Sequence, residues 1–331
     1  MKHIYIINPA AGRADATATL TERIHAAYAD SNHTDYPYEI YHTTGIGDAC
    51  RYVRAYIAAH PTEATRFYAC GGDGTLGEVV NGVLGTDASD VSPELFSVGL
   101  IPVGTGNDFM RNFTEQEKFL DLAAQRDGAE VSIDLLRCND LYCVNMINIG
   151  FDCEVVTTTA EIKRKPYVPR GMAYPLATLY TLIRKPGVFP TIAIDGEEQP
   201  RRRMLLCAIG NGAFCGGGFH ALPKAQPDDG TLDACLVNNV SRIRFLSLVG
   251  DYKKGTHVKP STEKLLRYLQ CHRITLTFEH PQNVCVDGEI MPMDACDISL
   301  VPRAVRFSVP AGCALRGASD RKTAQACPAV I

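Results

Sequence analysis

Arg66-Phe67-Tyr68-Ala69-Cys70-Gly71-Gly72-Asp73-Gly74-Thr75 is the stretch that decides the fold. Arg66 to Cys70 reads as a short buried strand, and a glycine loop follows it at once. Val79, Val80, Val83 and Leu84 then mark one face of a helix. Strand, glycine turn and helix together make half of a βαβ unit. The pattern repeats on both sides. Upstream, His3 to Ile7 is a strand ahead of a Gly/Pro loop, and Leu20, Ile24, Ala27 and Tyr28 share a helical face. Tyr38 to His42 is another strand, with Ala49, Tyr52, Val53, Tyr56 and Ile57 on the helix after it. Downstream, Ser97 to Val103 is a fourth strand, and a helix is expected near Glu115 to Arg126. Such alternation predicts a parallel sheet, whose ligands lie beyond the carboxyl ends of the strands.

Past residue 130 the rhythm changes to short strand-like runs: Val131 to Cys138, Tyr142 to Ile149, Thr191 to Asp195, Met204 to Ile209 and Leu232 to Val237. Arg273 to Phe278, Asn283 to Asp287, Ile298 to Val301 and Ala304 to Val309 continue them. Only Ala173 to Ile183 and Ile243 to Lys254 look helical here. A mostly antiparallel β-sandwich or barrel is expected. The tail after Pro310, small and polar, is expected to be disordered. These patterns give an α/β domain over residues 1–133 and a sandwich over 134–302.

Composition narrows the function. The 331 residues hold 33 Lys and Arg against 37 Asp and Glu, a net charge of −4. That balance argues against a nucleic-acid partner, which would favour a basic surplus. Thirteen cysteines are scattered without any C-x-x-C pair, as expected of reduced thiols in a cytoplasmic protein. The apolar run at the amino terminus is too short for a signal peptide, and no stretch is long enough to span a bilayer. The nine histidines show no H-x-x-x-H spacing for zinc.

Three glycine-rich segments each follow a strand of the first half: Asn8 to Gly12, Gly71 to Thr75, and Pro102 to Asp108. All three therefore sit at one edge of the sheet. Glycines there let backbone N–H groups approach an anion, and the helix N-termini beyond add positive dipole. Thr75 and Thr105 offer hydroxyls to phosphate or ribose. Asp73 is a carboxylate in an otherwise anion-binding loop, as a Mg²⁺ shared with phosphates would require. No Lys follows the glycines as in a Walker loop. The first turn, Asn-Pro-Ala-Ala-Gly, is not a dinucleotide fingerprint.

Together these motifs resemble the soluble diacylglycerol kinase family, which includes sphingosine, ceramide and bacterial lipid kinases. The resemblance rests on Gly71 to Thr75 and on Gly104-Thr105-Gly106-Asn107-Asp108-Phe109. It continues through Asn211-Gly212, Gly216-Gly217-Gly218, Ala225 to Gly230 and Val286-Asp287-Gly288-Glu289. Gly77, where the family usually has Asn, and Ala11, where Ser is common, depart from it. The resemblance implies a phosphofructokinase-like nucleotide domain plus a β-sandwich, with the active site between them and the chain end, 303–331, returning to the first domain. It implies ATP held by Asn8, Pro9, Gly12, Thr43, Gly71, Gly72, Asp73, Gly74, Thr75, Thr105 and Asn107. From the residues alone, Thr43 is a strand-end hydroxyl equally able to cap a helix.

Phosphoryl transfer to an alcohol needs positioned phosphates, a cation and a base beside the hydroxyl. The resemblance places the base in Asp287-Gly288-Glu289 and leaves Asp287 and Glu289 both open. A second Asp-Gly-Glu, at 195 to 197, reads as a hairpin tip. Gln226, Asp229 and the backbone of Thr231 match a structural Mg²⁺ site of bacterial relatives; read alone, Pro227 to Gly230 is equally an Asx turn. Gly216 to Gly218 is either a headgroup loop or a bulge. The expectation is an ATP- and Mg²⁺-dependent kinase of a lipid hydroxyl, foremost diacylglycerol to phosphatidic acid. The alternatives are a kinase of a soluble acceptor such as NAD, and a nucleotide-binding regulator without turnover. A deep apolar groove in the second domain favours lipid. The basic runs Lys163-Arg164-Lys165 with Arg170, and Arg201 to Arg203, are where a transient membrane contact would fall. An apolar edge strand is where a homodimer would form.

Overall fold

The computed structural model describes residues 1–317 except 13, 30–36, 86–92, 164–166, 169–171 and 185–186. The chain divides into two compact units. One comprises Met1–Leu135, Pro227–Asp229 and the chain from Val301; the other comprises Leu136–Gln226 and Gly230–Leu300.

In the first unit, β1 (Lys2–Ile7), β2 (Tyr38–His42), β3 (Thr65–Gly71) and β4 (Phe96–Pro102) pair in parallel, in the order β2-β1-β3-β4. Arg306 and Phe307, near the end of the last strand, extend the sheet in parallel against Ser97 and Val98. The connecting helices are α1 (Thr17–Ala29), α2 (Asp48–Ala59) and α3 (Asp73–Leu84). Leu20, Ile24 and Tyr28 of α1 pack on Tyr5, Ile7, Tyr68 and Cys70 of the sheet. This is the half-buried helix face that the spacing predicts.

Two expectations need correction here. The helix expected over 115–126 is a 3-10 turn, Gln116–Leu120, followed by the short α4 (Leu122–Arg126). Asp121 separates them. Its carboxylate accepts the N–H groups of Ala123 and Ala124 at 3.0 and 3.1 Å, so it starts a new helix. The tail expected to be disordered is docked as far as residue 317. Ala311 N–H donates to the Ala124 carbonyl, Thr114 N–H to that of Ala314, and Arg316 N–H to that of Asn112, each at 2.8 Å. Residues 318–331 lie outside the described residues.

β5 (Ala129–Cys138) leads out of the first unit. The second unit holds β6 (Leu141–Cys143), β7 (Met146–Gly150), β8 (Thr191–Ile194), β9 (Glu197–Glu198) and β10 (Met204–Gly210). It continues with β11 (Leu232–Asn238), β12 (Leu266–Cys271), β13 (Arg273–Val286) and the long β14 (Glu289–Val309). The strand order is β12-β11-β10-β7-β13-β14, antiparallel throughout. Side chains alternate faces along each strand. Ile147, Ile149, Cys207, Ile209 and Leu236 enter one core together with Ile192 and Ile194 of β8. Met146, Leu206, Ala208, Cys235 and Val237 enter another, covered by α5 (Phe151–Lys163), α6 (Ala173–Arg184) and α7 (Arg242–Lys254).

The sandwich expectation is met, with an added helix, α5, and two added strands, the two-residue β9 and β12. β13 and β14 are continuous where the sequence suggests two strands each. β13 carries Pro281 at a register shift between Thr277 and Gln282. β14 carries Pro292 and Pro302. Among the described residues every cysteine is free, and no helix is long and apolar enough to cross a membrane.

Candidate active site

The three loops at the carboxyl edge of the first unit's sheet are fastened to one another. Asn8, just past β1, donates from Nδ2 to Thr75 Oγ1 at 3.0 Å, and its Oδ1 accepts Ala10 N–H at 3.0 Å. Val103 and Gly104 N–H donate to the Gly71 carbonyl at 3.0 and 3.1 Å. A Cβ on Gly104 would lie 2.5 Å from Gly72 Cα, so the second and third loops touch backbone to backbone. Gly12 has φ +82°, and a Cβ there would strike the Val103 carbonyl oxygen. Both positions require glycine.

Asp73 opens α3. Its Oδ2 accepts Asp108 N–H at 3.0 Å and its Oδ1 accepts Phe109 N–H at 2.9 Å. The carboxylate therefore fixes the third loop, and each oxygen retains a lone pair. Asp108 is held in turn by Arg111 Nε at 3.2 Å. A side chain on Gly106 would sit 3.3 Å from Asp73 Oδ2 and 3.5 Å from Asp108 Oδ2, so the two carboxylates flank that glycine. Asn107, at φ +49°, donates to the carbonyls of Pro102 and Gly104, while its buried Oδ1 has no partner.

The remaining candidates are less alike. Thr105 is exposed on the loop, whereas Thr75 is buried, its hydroxyl accepting from Asn8 inside the loop wall. Thr43 follows β2, with its N–H on the Ile7 carbonyl at 2.9 Å, which sets it beside the Asn8 loop. It is not the cap of α2, whose N-cap is Gly47; its neighbour Thr44 is tied to the first residue of that helix, its N–H and Oγ1 donating to Asp48 Oδ2 at 2.8 and 2.9 Å. The sequence reading missed Glu78, one turn into α3, which accepts Gly47 and Ala49 N–H at 2.8 and 3.1 Å and closes the amino end of α2. Its signal is a carboxylate one residue past Gly77.

In the second unit, Asp287 and Gly288 form the tight turn between β13 and β14, with φ values of +47° and +92°. The Asp287 carboxylate is buried. It accepts the N–H groups of Val144, Asn145 and Met146 at 2.6, 2.9 and 3.1 Å, and the Cys143 thiol at 3.2 Å. Burial raises its pKa, and the hydrogen bonds only partly offset that; burial, and after it the Asp287 carboxylate, push the Cys143 thiol up. Glu289 begins β14 and is half-buried. Gln226 is half-buried and Asp229 exposed, while Thr231 Oγ1 accepts from Gln270 Nε2 at 3.2 Å. Among the described residues, no cluster of three or more His, Cys, Asp or Glu side chains could hold a metal.

Between α5, α6, α7 and the sheet of the second unit lies a cavity of about 90 Å³. Phe151, Val155, Val156, Phe245, Leu248 and Val249 are among the residues of its wall, and Gly216 reaches it from the glycine loop. The polar atoms in it are few. Asn148 Oδ1 is buried without a partner, and Tyr252 donates to Asp152 at 3.4 Å. Burial raises the Asp152 pKa to about 6 and lowers that of His257 to about 4.

Both units have counterparts among known proteins. Residues 2–138 match the diacylglycerol kinase catalytic domain, and residues 145–309 match the YegS C-terminal NAD kinase beta sandwich-like domain. The chain is 31% identical over 284 residues to a Stenotrophomonas maltophilia (strain K279a) protein named "Probable lipid kinase YegS-like", covering 82% of this chain and 86% of that one. It is 30% identical to a Mycobacterium tuberculosis (strain H37Rv) protein named "Diacylglycerol kinase", over 80% of this chain and 83% of that one. A solved diacylglycerol kinase structure from Bacillus anthracis str. Sterne shares the fold, with TM-score 0.63 and 22% identity over 92% of this chain and 96% of that one. The chain belongs to the diacylglycerol kinase family of lipid kinases.

Proposed function

We propose that the protein transfers the γ-phosphate of ATP to the hydroxyl of diacylglycerol, with Mg²⁺ as the counter-ion. The observation that carries the choice of a lipid acceptor is the apolar cavity beneath α5, α6 and α7. Its wall is aliphatic and aromatic, suited to a stretch of acyl chain and unsuited to a soluble, charged acceptor. A wider hollow of about 590 Å³, lined by Gln199, Arg202, Lys259 and Arg267 among others, is the feature that favours a soluble acceptor instead.

The loops fit a nucleotide. Gly12, Gly72 and Gly104 keep the cradle clear of side chains, and the unpartnered Asn107 Oδ1 suits a ligand hydroxyl or a cation-bound water. Asp73 and Asp108 are hard oxygen donors, and a cation held by one or two carboxylates plus phosphates is the usual arrangement for Mg²⁺. Bound there, the cation would spread charge on the transferring phosphoryl group. Asp287 has four donors on its carboxylate, so its role is to hold the turn. Glu289, two residues on, is the proposed base that accepts the acceptor hydroxyl's proton.

The test is transfer from γ-labelled ATP with Mg²⁺ to diacylglycerol, ceramide and a sphingoid base in mixed micelles, with NAD alongside. Label in phosphatidic acid is expected. Label in NADP would move the protein to a soluble acceptor, and ATP binding without label in any acceptor would make it a regulator.

A further inference from the structure

The cavity uses one side of α6 and α7. Their other side is apolar too, and open to solvent. Ile243 is 84% exposed, Ile183 61%, Leu246 59% and Leu179 55%. On α6, Leu176, Leu179, Tyr180 and Ile183 fall three and four residues apart and make one stripe. Single exposed apolar residues are ordinary; a contiguous set on neighbouring helices is not.

Hydrogen bonds gather this set at one edge. The Arg242 guanidinium donates to the Leu182 and Ile183 carbonyls at 3.2 and 2.6 Å, which seats the first turn of α7 against the last turn of α6. Asn239 N–H donates to the Arg203 carbonyl at 3.0 Å, bringing the run Arg201 to Arg203 to the same edge. The exposed Phe189 ring lies under the Arg201 guanidinium at 4.6 Å. Arg184 and Arg244 complete the group, both exposed. Among the described residues, these six arginines make a single ion pair, Arg201 with Glu279 at 2.7 Å. The chain as a whole carries −4, so this surplus is local.

Apolar side chains interleaved with arginine suit one surface above others, the interface of an anionic bilayer. We propose that this face of α6 and α7 seats the protein on anionic membrane, with the helices that touch lipid also walling the cavity. The purpose of docking rests on the lipid-acceptor reading; the docking itself does not.

The test is flotation of the full chain with phosphatidylcholine vesicles, with and without phosphatidylglycerol. Two variants accompany it, I183S/I243S and R184Q/R203Q/R244Q, all at exposed side chains that line neither the cavity nor the wider hollow. Wild type should float with anionic vesicles only, and added salt should release it. Each arginine is worth about fivefold in partitioning, so the triple variant should lose about 100-fold. I183S/I243S should lose at least tenfold. Both should keep the wild-type melting temperature and wild-type turnover of a short-chain, water-soluble diacylglycerol. Flotation of the variants equal to wild type would overturn the proposal. So would a wild-type dimer, seen by analytical ultracentrifugation, that I183S/I243S splits with vesicle binding unchanged: the face would then be a contact between copies. If the variants lose flotation but wild type phosphorylates no lipid, the docking face stands and the lipid acceptor falls.

Discussion

The chain contains Asp-Gly-Glu twice, and the two copies fold alike and differ in everything around them. Asp195-Gly196 and Asp287-Gly288 make the same turn, with φ values of +48° and +88° in the first and +47° and +92° in the second. Both aspartates accept backbone N–H groups from a neighbouring junction between strands. Asp195 takes those of His272 and Arg273 at 3.0 and 2.8 Å in the open, whereas Asp287 takes three plus a thiol in the interior. Glu197 is exposed on a two-residue strand, and Glu289 is half-buried at the head of the longest one. The tripeptide encodes the turn; burial decides what the turn is for.

That contrast can be tested, the largest effect first. Glu289→Gln should lower lipid-phosphate turnover 10²- to 10⁴-fold, about 3–5 kcal/mol, at unchanged melting temperature. Glu197→Gln should leave turnover within about twofold, since an exposed hairpin tip makes no transition-state contact. Equal losses in steady-state assays would erase the distinction. Next, Asp287→Asn puts an amide where four donors converge and should cost about 3 kcal/mol in urea unfolding. Asp195→Asn, in water, should cost about 1 kcal/mol or less.

Asp152 sharpens the point, as a shielded carboxyl with one hydroxyl partner where Asp287 has four donors. Its folded pKa, about 6, exceeds the ordinary 3.8, so the folded state holds the proton more tightly than the unfolded chain. Its contribution is therefore greatest below about pH 4 and declines as pH rises towards 6. Asp152→Asn should remove that decline, on the order of 1–3 kcal/mol across the window, when unfolding is followed at several pH values. The smallest effect is the most symmetrical. A Cβ on Gly196 or Gly288 meets nothing within 4 Å, so alanine at either costs backbone strain alone. Both substitutions should cost about 1 kcal/mol, and equally; a larger cost at 288 would mean the two turns are not the same.

What the sequence could reveal follows the same division between local and distant causes. The parallel half is legible because each strand is an apolar run ended by glycines, and Leu20, Ile24 and Tyr28 need only one sheet to pack on. The cradle is legible for the same reason, down to Gly12 and Gly104. The antiparallel half is not, where distant groups rewrite local pattern. Tyr142 to Ile149 reads as one strand, yet it breaks at Val144 and Asn145 because Asp287, over 140 residues away, takes their N–H groups. α5 was hidden by Val155-Val156-Thr157-Thr158-Thr159, β-branched residues that favour strands, and tertiary packing over the sheet overrides them. The choice between Asp287 and Glu289 was closed to sequence altogether. The four donors on Asp287 come from a segment more than 140 residues away, and no spacing records them. Arg164, Lys165 and Arg170 of the first basic run lie outside the described residues.

The most direct test of a lipid acceptor is to find where the lipid sits. A diacylglycerol with a photoreactive group in its acyl chain would be irradiated with the protein, and the labelled peptides mapped by mass spectrometry. Label on α5 and α7, at Val155, Phe245 or Leu248, and competed away by unmodified diacylglycerol, is the predicted result. Label confined to other parts of the chain, or left unchanged by the competitor, would contradict it.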